Sequence, residues 1–100
     1  MSQVTTHVLD TAAGRPAAGI AVSLEDDGGV VATAETDADG RVGDLGPSLL
    51  EPGTYRLRID TSSRSTFFPE VVVAIAITDD THVHVPLLLS PFGYSTYRGS

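Results

Sequence analysis

The sequence predicts an all-β fold, and three observations support this. No window of useful length places apolar residues at the i, i+3, i+4, i+7 spacing of an amphipathic helix. Short runs rich in β-branched residues instead recur about every ten residues, between clusters of Gly, Pro, Asp and Ser. The chain has 100 residues, enough for one core, so we expect a single sandwich domain over residues 1 to 100.

Taken in order, the strands VTTHVLD, GIAVSLE, VVATAET, RVGDL, TYRLRID, EVVVAIAI, THVHVPLLL and GYSTYR carry the Val, Ile, Thr and Tyr content typical of sheets. Turn-forming stretches separate them: AAGRPAAG, EDDGG, TDADGR, GPSLLEPG, TSSRSTFFP, TDD and SPFG. GPSLLEPG has room for one helical turn at most, because Pro52 would end it. The eight predicted strands are residues 4 to 10, 19 to 25, 30 to 36, 41 to 45, 54 to 60, 70 to 77, 81 to 89 and 93 to 98.

Two strands are apolar on both faces, in the stretches VVVAIAI and VPLLLS. An antiparallel sheet in a monomer normally leaves one face polar for water. We therefore expect a second copy of the chain to cover this surface, in a symmetric homo-oligomer whose interface includes the strand of residues 81 to 89. The alternative is that LLL lies at the centre of the sandwich, with a bend at Pro86.

Composition excludes several functional classes. The net charge is −7 and all six cations are Arg, so the chain lacks the basic stripe that nucleic acids require. The absence of cysteine excludes disulfides, thiolate metal sites and a Cys nucleophile, and it fits a reducing compartment. The longest apolar run, residues 71 to 77, is too short to span a bilayer, and the first ten residues do not resemble a signal peptide. We expect a soluble cytoplasmic protein that binds neither nucleic acid nor membrane.

The three histidines are the main candidates for chemistry. His7 lies on the first predicted strand, and His82 and His84 project from the same face of a later one. A His-x-His pair supplies half of many zinc sites, and the third ligand here would be His7 or a carboxylate, although no spacing identifies one. The alternative is that His82 faces solvent and His84 is a satisfied, partly buried histidine.

The stretch TDADGR places Asp37 and Asp39 before Gly40, as in some calcium loops. A third ligand before the glycine and a glutamate after it are missing, and Asp-Gly is an ordinary hairpin signature, so we predict a turn. That turn would fix the direction of Arg41, which is either a fixed cation in a site or a solvated surface charge. The sequence contains no nucleophile elbow, Walker loop or H-E-x-x-H motif.

Several stretches, in order along nearly the whole chain, resemble the 5-hydroxyisourate hydrolases, the enzymatic relatives of transthyretin. They are THVLDTAAGRPAAGIAVSLE, TDADGRV, GTYRLRIDT, FFPEVVVAI and HVHVPLLLSPFGYSTYRGS. The final tetrapeptide, residues 97 to 100, is the hallmark that separates the hydrolases from the hormone carrier. The resemblance implies a transthyretin-like eight-stranded sandwich of two four-stranded sheets. It also implies a homotetramer, a dimer of dimers with active sites between the dimers, that hydrolyses the product of urate oxidation without metal or cofactor.

The resemblance further implies which residues form the site. Catalytic roles fall to His7, Arg41, His84 and Ser100, and substrate-binding roles to Tyr97, Arg98 and Gly99. The sequence departs from the family pattern at Val83, where Tyr is usual, and in the shorter stretch TSSRSTFFPE. Strict alternation in the last strand would place Tyr94, Thr96, Arg98 and Ser100 on one face, with the chain end in the site.

Hydrolysis of a cyclic amide needs an activated water, a group that stabilises the oxyanion, and donors that hold a flat anionic ring. Histidine can act as the base and Arg41 offers a planar fork of N–H donors. Whether His7 or His84 is the base stays open at this stage, and we expect His82 to lie in solvent or behind the groups that touch substrate. Two alternatives remain: a transthyretin-like carrier that binds without catalysis, and a structural β-sandwich module.

Overall fold

A computed structural model describes all 100 residues and contains nine β-strands and no helix. Each predicted strand is present, with its ends shifted by a few residues, and a two-residue strand appears in addition within AAGRPAAG. In GPSLLEPG, residues 46 to 52 form no helical turn, and Gly53 begins a strand. The strands are β1 Val4–Asp10, β2 Arg15–Pro16, β3 Ala21–Asp26, β4 Gly29–Glu35, β5 Arg41–Val42, β6 Gly53–Asp60, β7 Glu70–Ile77, β8 Val83–Ser90 and β9 Gly93–Thr96.

The strands form two sheets, which confirms the predicted sandwich class. The second sheet has the order β4-β3-β6-β7. The first, here called the site sheet, has the order β2-β1-β8-β9, with β5 also paired to β1. It therefore has five strands where four were predicted. The two short strands follow one another along the same edge of β1, β5 beside Thr6 and His7 and β2 beside Leu9 and Asp10, so the site sheet is still four positions wide.

The central pair of the site sheet joins the two ends of the chain. β1 runs parallel to β8, from Val4 opposite Val83 to Asp10 opposite Leu89. β9 then returns antiparallel to β8, with Leu87 opposite Thr96. Strand β1 thus lies beside the histidine-bearing strand although about eighty residues separate them in sequence.

Period-two alternation divides the site sheet into an inner and an outer face. The inner face contributes Val4 and Val8 from β1 and Val85, Leu87 and Leu89 from β8 to a core of 18 buried apolar residues between the sheets. Thr6 is also buried, and its hydroxyl donates to the carbonyl oxygen of Val85 at 2.6 Å. The outer face carries the alternate residues, among them Thr5, His7 and His84. No helix is long and apolar enough to cross a membrane.

The last strand ends earlier than predicted, at Thr96 instead of residue 98. In the β8–β9 register Tyr97 falls opposite Pro86, which has no N–H to donate to a neighbouring strand. An isolated bridge forms two residues after Tyr97 in the same register, where the N–H of Gly99 donates to the carbonyl oxygen of His84 at 2.8 Å. The chain end is therefore held against β8, although not as a continuous strand.

Candidate active site

The outer face of the site sheet carries a cleft of about 320 Å³. Strand register builds it, because Thr5 lies opposite His84 across β1 and β8, and His7 lies opposite Arg41 across β1 and β5. The residues that line the cleft come from the first and last positions, from β1, from β5 and the residue after it, and from β8 and its approach: Met1, Thr5, Thr6, Arg41, Val42, Gly43, His82, His84 and Ser100.

His84 is the half-buried histidine of this cleft. Its Nδ1 lies 2.8 Å from Oγ1 of Thr5, and its Nε2 has no hydrogen-bond partner within the chain. Burial of the ring lowers the pKa of His84 below the ordinary value of 6.5. The positive charges of three neighbours lower this pKa further: His7, His82 and Arg41. His84 is thus neutral near pH 7 and able to accept a proton.

His7 has a tautomer fixed by the backbone. Its Nε2 lies 2.8 Å from the carbonyl oxygen of Asp39. A carbonyl oxygen only accepts, so Nε2 must carry a proton. In the neutral ring the lone pair is therefore on Nδ1.

The turn between Asp37 and Arg41 positions both His7 and the cation. The Oδ1 atom of Asp37 accepts from the N–H of Asp39 at 2.9 Å and from that of Arg41 at 3.0 Å. Gly40 has φ +74°, and a Cβ there would lie 2.5 Å from the carbonyl oxygen of Val8, so only glycine fits. TDADGR forms a turn, as predicted, and the carboxylate of Asp37 is engaged by backbone N–H groups.

The terminal tetrapeptide divides between two places. Ser100 lines the cleft, and Gly99 presses on His84, since a Cβ at residue 99 would lie 2.7 Å from Cδ2 of that ring. Tyr97 and Arg98 instead border a separate cavity of about 240 Å³ at the open edge between β7 and β8. The prediction that Arg98 and Ser100 share one face is therefore wrong, because strand pairing stops at Thr96.

His82 is exposed and stands at the rim of the cleft, where its Nε2 lies 2.8 Å from Oγ1 of Thr5. The rings of His82 and His84 are stacked, with centroids 6.3 Å apart and planes at 25°. Both rings form hydrogen bonds with the hydroxyl of Thr5. No group of three His, Cys, Asp or Glu side chains is placed to hold a metal ion. The geometry thus gives the zinc interpretation no third ligand.

Thr5 is the residue of the site that sequence reasoning missed. Alternation did place Thr5 on the same face as His7, two residues before it in the stretch TTH. That signal becomes informative only once β1 is known to pair with β8.

The chain forms a sandwich of two sheets in which only the β1–β8 pair is parallel, with a cleft of histidines and an arginine on one outer face. These features define the class of transthyretin-like β-sandwich proteins. The profile of the HIUase/Transthyretin family matches residues 4–99. The chain belongs to that family, and the resemblance noted from its motifs is confirmed.

Individual relatives agree with this assignment. The chain is 45% identical over 113 residues to the 5-hydroxyisourate hydrolase of Mus musculus, covering 99% of this chain and 96% of that one. The structure of Klebsiella pneumoniae 5-hydroxyisourate hydrolase superposes with a TM-score of 0.88 at 37% identity, covering 97% of this chain and 98% of that one. Sea bream transthyretin in complex with thyroxine superposes with a TM-score of 0.84 at 27% identity, covering 97% and 94%.

Proposed function

We propose that residues 1 to 100 form a single-domain 5-hydroxyisourate hydrolase of the urate degradation pathway. The reaction opens a ring amide of 5-hydroxyisourate by addition of water and yields 2-oxo-4-hydroxy-4-carboxy-5-ureidoimidazoline. One observation carries the proposal: His84, whose Nε2 is free, shares a cleft with Arg41 and Ser100. Full-length identity of 45% to a hydrolase supports it.

His84 is the general base in this proposal. Its lowered pKa keeps it unprotonated near pH 7, and its free Nε2 takes a proton from the attacking water. The lone pair on Nδ1 of His7 accepts the second hydrogen of that water and orients it. His84 then returns its proton to the ring nitrogen that leaves when the C–N bond breaks, so the base is regenerated.

Arg41 stabilises the negative charge that develops on the amide oxygen. Its guanidinium offers planar N–H donors, and the Asp37 turn fixes its backbone. Ser100 lines the same cleft and contributes its hydroxyl to it. Gly99 supports the site by packing on the His84 ring. A substrate-binding role for Tyr97 and Arg98 stays a prediction, since within one chain these residues border the cavity of about 240 Å³ and not the cleft.

The alternative functions explain the site less well. A non-catalytic carrier needs neither a neutral histidine with a free nitrogen nor a cation beside it, and the thyroxine-binding neighbour is only 27% identical. A structural module would have no use for two histidines and an arginine gathered in one cleft. Absence of cysteine supports a cytoplasmic location for the enzyme.

We also propose that the enzyme is a dimer of dimers with the cleft at the interface between dimers. Leu9 and Leu88 lie opposite each other on the outer face near the cleft, and Phe92 in the β8–β9 turn is exposed. Such apolar surface favours burial by another copy. Light scattering should give four times the chain mass of 10.4 kDa, and a monomer in solution would refute this assembly.

The activity is tested by following the absorbance of freshly prepared 5-hydroxyisourate with and without the protein. We expect the protein to accelerate decay of the substrate, with or without a chelator, and a rate equal to the spontaneous one would refute the proposal. Arg41→Ala should lower kcat by about 10²- to 10³-fold. Arg56→Ala is the matched control, because that arginine lies exposed on the second sheet beside Asp27.

A further inference from the structure

The buried threonine Thr5 contacts two histidine rings through one hydroxyl. Its Oγ1 lies 2.8 Å from Nε2 of His82 and 2.8 Å from Nδ1 of His84. These are the only hydrogen bonds of that hydroxyl within the chain. Thr5 therefore joins an exposed histidine at the rim of the cleft to the half-buried histidine inside it.

A hydroxyl has one proton to donate, and this restricts the tautomers of the two rings. If both ring nitrogens presented lone pairs, only one could be satisfied. If both presented N–H groups, the Thr5 proton would have no acceptor, and Thr5 is buried. One ring must therefore donate to Thr5 while the other accepts from it.

Two arrangements remain. In the first, Nδ1–H of His84 donates to Thr5 and Thr5 donates to Nε2 of His82, which leaves the lone pair of His84 on Nε2. In the second, His82 donates to Thr5 and Thr5 donates to Nδ1 of His84, so that Nε2 of His84 is protonated. Only the first arrangement leaves Nε2 able to accept a proton from water.

We propose that Thr5 is a positioning residue that, with His82 as the acceptor of its proton, holds His84 in the tautomer protonated on Nδ1. This rests on the proposed role of His84 as the base. Two contacts fix the plane of the ring: Thr5 binds its Nδ1, and Gly99 packs on its Cδ2 edge. His82 then acts on the reaction through the Thr5 hydroxyl.

The test compares Thr5→Val, which removes the hydroxyl and keeps the shape, with Thr5→Ser, which keeps the hydroxyl. We expect Thr5→Val to lower kcat by about 10- to 100-fold, a part of what general-base catalysis contributes. KM should change by no more than about twofold, because the Thr5 hydroxyl is engaged with His82 and His84 and Val keeps the shape of the side chain. Thr5→Ser should retain kcat within about threefold of the wild type.

Nitrogen-15 NMR of the histidine rings reports the tautomer directly. In the wild type and in Thr5→Ser, His84 should be protonated on Nδ1 and bare on Nε2, whereas Thr5→Val should show a mixture. His82→Ala removes the acceptor at an exposed position, so it should move His84 towards the Nε2-protonated tautomer and lower kcat. Because His82 acts through Thr5, the double variant should lose no more than Thr5→Val alone.

The outcomes separate this proposal from the one it rests on. His84→Ala with full activity would show that His84 is not the base, whatever Thr5 does. An inactive His84→Ala together with a fully active Thr5→Val, or with an unchanged His84 tautomer in Thr5→Val, would overturn the role of Thr5 alone. If Thr5→Val does not fold, His82→Ala still decides, and an unchanged tautomer there overturns the proposal.

Discussion

Gly99 offers a test of how tightly the chain end holds His84. In Gly99→Ala the new methyl group would lie 2.7 Å from Cδ2 and 3.4 Å from Cγ of His84, and 3.2 Å from Cγ of Pro86. Carbon atoms pack best at about 3.5 to 4.0 Å. The methyl group and the ring must therefore separate by about 1 Å, and Pro86 blocks one direction of escape.

The displacement has two possible routes, and both affect catalysis. If the ring moves by about 1 Å, the 2.8 Å contact between His84 and Thr5 exceeds hydrogen-bonding distance. If the chain end moves, the bond from Gly99 N–H to His84 lengthens and Ser100 leaves the cleft. A misplacement of about 1 Å costs on the order of 10²-fold in rate, so we expect kcat to fall by about 10- to 100-fold.

Stability should change much less than activity. Overpacking in a core costs about 1 to 3 kcal/mol, but Gly99 lies outside the core. We expect a loss of about 1 kcal/mol, close to that of one backbone hydrogen bond. The assay is substrate decay together with thermal unfolding. Gly93→Ala is the control, since its Cβ would meet Ser90 Oγ at an ordinary 3.6 Å, and wild-type kcat in Gly99→Ala would refute the packing argument.

Three further predictions concern the base and the C-terminal residues. Because the base form of His84 is the unprotonated one and its pKa is lowered, kcat/KM should stay high down through pH 6.5 and fall only at lower pH; a profile that is flat to pH 5 would contradict a histidine base. Residues added after Ser100 should lower the rate, since that residue lines the cleft, and a C-terminal tag that leaves kcat unchanged would contradict this placement. Deletion of residues 97 to 100 should abolish turnover without unfolding the protein, because no core residue is lost.

Most of the fold could be predicted from the sequence, because strand composition, turn residues and alternation are local signals. Strand composition and turn residues located all eight predicted strands. Alternation correctly assigned Val85 and His84 to opposite faces of the same strand, with Val85 facing the core. The short strand at Arg15 and Pro16 was missed, since two residues carry no period and their pairing with β1 depends on the fold.

The site was only partly readable, because its contacts are long-range. The resemblance implied roles for His7, Arg41, His84 and Ser100, and these roles stay predictions. In the structure Arg41, His84 and Ser100 line one cleft, and His7 lies opposite Arg41 on the neighbouring strand. The bond from Thr5 to His84 spans 79 positions, and no local pattern encodes it. Alternation also failed after Thr96, where the register meets a proline that cannot donate to the next strand.

Core packing is what keeps His84 facing the cleft. A slip of one residue in the pairing of β8 would turn every side chain to the opposite face, burying His84 and exposing Val85 and Leu87. Those two side chains are 3% and 0% exposed, and transferring each to water would cost about 1.5 to 3 kcal/mol. The apolar residues between the histidine and the turn thus specify the register of the site without touching it. A polar substitution at Val85 would therefore impair catalysis by disturbing strand register and folding, although Val85 itself does not line the cleft.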